Sequence, residues 1–130
     1  METFIYKEGY SYPIALMLNV TDNCNLACRY CFVEQHPHNM TLDTAKKALH
    51  YIYNNFDYIN NHQDIKQEIY GESTLENSKV NFFGGEPLLC YENIIKPLIL
   101  YAEKEFNNFF NFGITTNITL LDKEKIDFFK

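Results

Sequence analysis

Three short apolar runs, each followed by a polar turn and then an apolar stripe at helical spacing, constrain this chain more than any other feature. The first, Ile14 to Val20, follows Pro13 and reads as a buried strand. Val80–Phe83 and Phe109–Thr116 give the second and third strands. Between them, Ala45, Ala48, Leu49, Ile52, Phe56 and Ile59 predict a helix over about 42–59, with Thr41 as N-cap and Asp43 in its first turn. A second stripe (Ile94, Ile95, Leu98, Tyr101, Ala102, Phe106) contains Pro97, which predicts a late helix start or a kink. Asp122 then caps a third helix reaching Lys130. Strand, helix, strand, helix, strand, helix is the order of an α/β fold built from right-handed parallel βαβ units.

Two stretches fall outside this rhythm. Residues 1–13 alternate aromatic and polar groups around Gly9, which suggests an N-terminal arm or hairpin. Residues 60–78 are polar and too long for an ordinary connection, so they read as a surface insertion in which Ile65–Tyr70 could form a helical turn. The net charge of -6 argues against a nucleic-acid surface. No apolar run approaches the roughly 20 residues of a membrane span. An N-terminus without the basic and apolar regions of a signal peptide, beside clustered thiols, points to a reducing cytoplasm.

The thiols follow the first strand. Cys24, Cys28 and Cys31 lie within eight residues, at the end of the sheet where α/β folds place their chemistry. A disulfide would leave one of them over, whereas a metal site uses all three. A closed zinc site wants a fourth ligand, and neither His36 nor His38 stands at the usual spacing. Three thiolates suit an iron–sulfur cubane that keeps one iron open for a reagent. Asn23 and Asn25 can turn the loop, and backbone amides in such a curl can point at the sulfurs. Cys90, alone on an apolar stretch, reads as a packed core residue. Gly84 and Gly85 permit positive φ and close approach of a ligand to bare backbone, and Pro87 fixes the exit of that turn.

The segment Cys24-Asn25-Leu26-Ala27-Cys28-Arg29-Tyr30-Cys31 resembles the CxxxCxΦC loop of the radical S-adenosylmethionine (radical SAM) enzymes. Asn81–Leu89 resembles that family's GGEP segment, and Gly113–Leu121 resembles its TTN segment, with Ile118 where the family usually has Gly. Among subfamilies the likeness is greatest to the SPASM and anaerobic sulfatase-maturase-like enzymes that modify peptides or proteins. The resemblance implies a partial (β/α)6 TIM-like barrel, of which about three βα units with parallel strands would be present here. It implies that Cys24, Cys28 and Cys31 hold a [4Fe–4S] cluster chelated by S-adenosylmethionine. Gly84, Gly85 and Glu86 would meet the cofactor's ammonium group, Thr116 would line its pocket, and Tyr30 would pack near its adenine.

By the same resemblance, the reduced cluster splits S-adenosylmethionine to methionine and a 5′-deoxyadenosyl radical, which takes a hydrogen atom from a peptide or protein. A flavodoxin- or ferredoxin-like donor would supply the electron. Ribose- and adenine-binding groups belong to later strands, so the 130 residues read as an N-terminal part, a truncated product or half of a split enzyme, inactive alone. Rival readings are an iron–sulfur module without catalysis and a zinc-stabilised interaction domain. The geometric expectation common to the cluster readings is that all three sulfurs face one point beside the double-glycine bend.

Overall fold

The computed structural model describes residues 15–70 and 77–130, and the proposed arm at 1–13 lies outside them. Three strands, β1 (Ala15–Thr21), β2 (Ser78–Gly84) and β3 (Phe110–Ile114), form one parallel sheet in the order β1-β2-β3. Leu18 stands opposite Phe82, and Phe82 opposite Ile114. The β1–β2 register shifts between Asn19 and Thr21, so Thr21 rather than Val20 meets Gly84. Such a bulge re-aims the chain. Here it turns β1 into the cysteine loop.

Helix α1 spans Leu42–Asn61, capped by Thr41, whose Oγ1 accepts from Thr44 N at 3.2 Å. Helix α2 (Gln63–Tyr70) then occupies part of the stretch read as an insertion, and it buries Ile65. After β2 the chain makes a 3₁₀ turn at Pro87–Cys90 and a π turn at Tyr91–Ile95 before α3, Lys96–Phe106. Pro97 therefore sits in the first turn of α3, the helical position at which proline is best tolerated. The helix starts late. Helix α3 ends on Asn107 in the left-handed region, a conformation Asn tolerates. Helix α4, Lys123–Phe129, follows Asp122, whose Oδ1 accepts from Lys125 N at 2.9 Å.

Alternate side chains of the strands meet these helices. Leu18, Val20, Val80 and Phe82 pack with Leu49, Ile52 and Phe56 of α1 and with Leu98 and Ala102 of α3. Strand β1, read from its apolar run as a buried strand, is buried along one face. Helices cover only one face among the described residues, and Met17 on the other is 66% exposed. Lys79 and Asn111 share that open face. No described helix is long and apolar enough to cross a membrane.

Candidate metal centre and cofactor site

The loop after β1 is closed at its base and free at its tip. Asp22 N donates to His38 O at 3.0 Å, and Met40 N donates to Val20 O at 2.8 Å. Thr21 Oγ1 bonds Asn39 Oδ1 at 2.5 Å, so the chain returns beside its point of departure. Cys24 is half-buried near the base, whereas Cys28 and Cys31 are exposed at the tip.

The double-glycine bend is pressed against this base. Gly84 has φ +149, and a Cβ there would come 2.3 Å from Thr21 O. One on Gly85 would come 2.1 Å from Asn23 O and 3.2 Å from the Cys24 Cβ. Gly85 N donates to Thr21 O and Glu86 N to Asn23 O, both at 2.9 Å. Bare backbone is thus needed for contact with the cysteine loop itself, a use of glycine that the sequence assigned to ligand approach.

Glu86 is fully buried. Its Oε1 accepts from Leu88 N at 3.0 Å and from Thr116 Oγ1 at 2.5 Å, while Oε2 accepts from Asn117 N at 2.8 Å. Two residues expected to touch the cofactor therefore bond each other. A buried carboxylate needs such donors to offset lost water. The one charged side chain of the bend is turned inward and ties the end of β2 to the turn after β3.

That turn runs through Ile118, whose φ of +62 is the conformation a glycine would take without strain. Ile118 N donates to Thr116 Oγ1, and Thr119 N donates to Asn117 Oδ1, both at 3.1 Å. Asn117 Nδ2 reaches Asn25 Oδ1 at 3.0 Å and Cys24 Sγ at 3.9 Å. Asn25 Nδ2 donates to Thr119 Oγ1 at 2.8 Å, which closes a ring of contacts between the cysteine loop and the β3 turn. The sequence read the pair Thr116-Asn117 as small polar groups at the cofactor pocket and assigned a contact only to Thr116. The contact of Asn117 with Cys24 was not legible there, because its target is 93 residues away.

Tyr30 is 89% exposed. Beside it Phe32, also overlooked in the sequence, stacks on Phe83 of β2 with ring centroids 6.4 Å apart. Cys90 is buried with its Sγ 3.9 Å from Val20 O, and burial pushes its thiol pKa up. Core packing describes it. His38 lies 3.8 Å from Asp22 and His36 lies 3.7 Å from Glu34.

The expected common point of three sulfurs is not found. Among the described residues no three Cys, His, Asp or Glu side chains are gathered as a metal-holding group. Cys24 Sγ faces Leu26 N at 3.4 Å and the Asn117 amide, whereas Cys31 Sγ lies 3.9 Å from Val33 O. Local hydrogen bonds such as Cys31 N to Cys28 O, at 3.1 Å, set these directions at the free tip. The donor set nevertheless fits an iron–sulfur cluster in kind: three soft thiolates share one loop, and N–H groups already point at one of them.

A parallel βα sheet with a cysteine loop, a glycine bend and a polar turn interlocked at the carboxyl ends of its strands places the molecule in the α/β class, consistent with a partial TIM-like fold. The chain belongs to the radical SAM superfamily, whose family model matches residues 18–130. It is 32% identical over 112 residues to an uncharacterized protein of Methanocaldococcus jannaschii, covering 84% of this chain and 32% of that protein. It is also 32% identical over 107 residues to a GTP 3′,8-cyclase of Clostridium botulinum, covering 82% of this chain and 28% of the relative. The chain thus spans about a third of the length of these curated relatives.

Proposed function

We propose that these residues form the cluster-binding part of an enzyme that cleaves S-adenosylmethionine reductively and abstracts hydrogen from its substrate. One observation carries this reading: the two backbone bonds from Gly85 and Glu86 clamp the glycine bend onto the base of the cysteine loop. Cys24, Cys28 and Cys31 would hold a [4Fe–4S] cluster. When bound, the cluster supplies the electron that splits the sulfonium to methionine and a 5′-deoxyadenosyl radical. Gly84 and Gly85 would offer backbone to the ammonium group of S-adenosylmethionine. Glu86 fixes that backbone, since its carboxylate is engaged with Leu88, Thr116 and Asn117. Thr116 would line the same pocket, and the exposed ring of Tyr30 would cover an adenine.

A peptide or protein substrate is favoured by the likeness of all three motifs to the SPASM and sulfatase-maturase-like branch. A nucleotide substrate is the second reading, supported by the relative named as a GTP 3′,8-cyclase. A flavodoxin- or ferredoxin-type donor and a cytoplasmic setting suit either. The rival without catalysis is an iron–sulfur module or one half of a split enzyme.

Anaerobic reconstitution with iron and sulfide, followed by S-adenosylmethionine and dithionite, separates these readings. The whole protein is expected to form 5′-deoxyadenosine, and the 130-residue chain to form little, because its relatives are about three times longer. Iron uptake without cleavage by the whole protein favours the passive module. Cys28→Ala is expected to abolish cluster assembly. Normal iron content in that variant would remove Cys28 from the ligand set.

A further inference from the structure

Resting on the cluster reading above, we propose that Asn117 is a positioning residue that donates a hydrogen bond to the Cys24 thiolate and so sets the reduction potential of the cluster. The network around the amide fixes which of its ends faces the sulfur. Asn117 Oδ1 accepts from Thr119 N at 3.1 Å and from Thr119 Oγ1 at 2.7 Å. A backbone N–H can only donate, so the oxygen of the amide must lie on the Thr119 side. The NH₂ group therefore lies on the other side, where its two hydrogens serve Asn25 Oδ1 at 3.0 Å and Cys24 Sγ at 3.9 Å. An NH₂ group has no acceptor to offer. It suits a thiolate and gives nothing to a thiol proton.

The support behind the amide is buried. Glu86, with no exposed surface, holds the Asn117 backbone at 2.8 Å and Thr116 Oγ1 at 2.5 Å. Leu26 N adds a second donor to Cys24 Sγ at 3.4 Å. Cys24 thus meets two N–H groups before any metal arrives, while Cys28 and Cys31 are exposed on the same loop. Cys24 is the preset ligand of the three.

Hydrogen bonds to the sulfurs of an iron–sulfur cluster are one of the protein's means of setting its potential. An N–H dipole aimed at a ligand sulfur stabilises the more negative, reduced cluster. Removing it makes reduction harder. For the loss of one such donor we expect a tenfold fall in the reduction equilibrium, about 59 mV for a one-electron couple.

The test is a redox titration followed by electron paramagnetic resonance on anaerobically reconstituted protein, with iron content measured on the same samples. Asn117→Ala is expected to keep its iron and to titrate at a lower potential than wild type. Asn117→Asp is expected to titrate lower still, because an anion replaces the donor. Equal midpoints in wild type, Asn117→Ala and Asn117→Asp at equal iron content would overturn the role of Asn117 and leave the cluster reading standing. Wild-type protein that takes up no iron would overturn both. Should Asn117→Ala assemble no cluster, Asn117→Asp decides, since it keeps the oxygen that accepts from Thr119 N and removes only the NH₂ donor. A lowered midpoint there supports the proposal, and an unchanged one rejects it.

Discussion

At the scale of single residues, the site depends on backbone that only particular side chains allow. Gly84 and Gly85 lie so close to Thr21 and Asn23 that a methyl group would displace the cysteine loop. Ile118 presents the opposite case, a β-branched residue holding φ +62 and 66% exposed. A left-handed conformation costs an L-residue roughly 1–2 kcal/mol, while glycine loses roughly 0.5–1 kcal/mol more chain entropy on folding. Ile118→Gly is therefore expected to stabilise the fold by up to about 1 kcal/mol. A urea titration should show a higher midpoint at unchanged slope, and an unchanged or lower midpoint would count against strain at this turn.

At the scale of elements, α1 and α4 begin on caps that the sequence announces, and α4 shows how such a cap responds to acid. Asp122 accepts from Lys125 N at 2.9 Å and forms an ion pair with the Lys125 ammonium. The Lys125 side-chain hydrogen bond is the leading cause that holds the Asp122 carboxyl below its ordinary value of 3.8. The folded pKa is depressed, so the contribution is present above the ordinary value and is lost as pH falls through the folded one. Helix α4 is expected to loosen below about pH 4 in a transition that Asp122→Asn removes. Amide exchange of Ile126, whose N–H donates to Asp122 O, reads this directly. Exchange that is equally acid-sensitive in the variant would place the effect elsewhere. The buried faces of α1 and α3 are mostly apolar, with Asn55 buried on α1 and His50 Nε2 2.6 Å from the Tyr101 hydroxyl across the two helices.

At the scale of the whole molecule, the described helices cover one face of the sheet and leave the other open among the described residues. Strand β3 is an edge of the sheet. Beside it lies a trough of about 330 Å³ lined by Phe112, Ile114, Leu121, Ile126 and Phe129 among others. Met17 and Phe32 add exposed apolar surface. Open edges and apolar patches recruit other chains. The 130-residue chain is therefore expected to bind a hydrophobic dye such as ANS and to self-associate as its concentration rises. Sedimentation showing a monomer at all concentrations, with no dye signal, would mean that this surface is covered by something else.

The strand–helix order, the caps at Thr41 and Asp122, the late start of α3 and the packing of Cys90 were all legible in the sequence. Each rests on periodicity or on contacts within a few residues, which local physical chemistry fixes. The one-sided burial of β1 was not legible, because an apolar run does not say how many faces a neighbour will cover. Nor was the inward turn of Glu86, whose three donors include two from a strand end about 30 residues further on. The amide of Asn117 against Cys24 belongs with it. Sequence by itself determined which residues could form the cysteine loop, the glycine bend and the polar turn. Only the tertiary structure decided that a buried carboxylate would lock them together, since hydrogen bonds between distant loops form where parallel strands happen to bring their ends side by side.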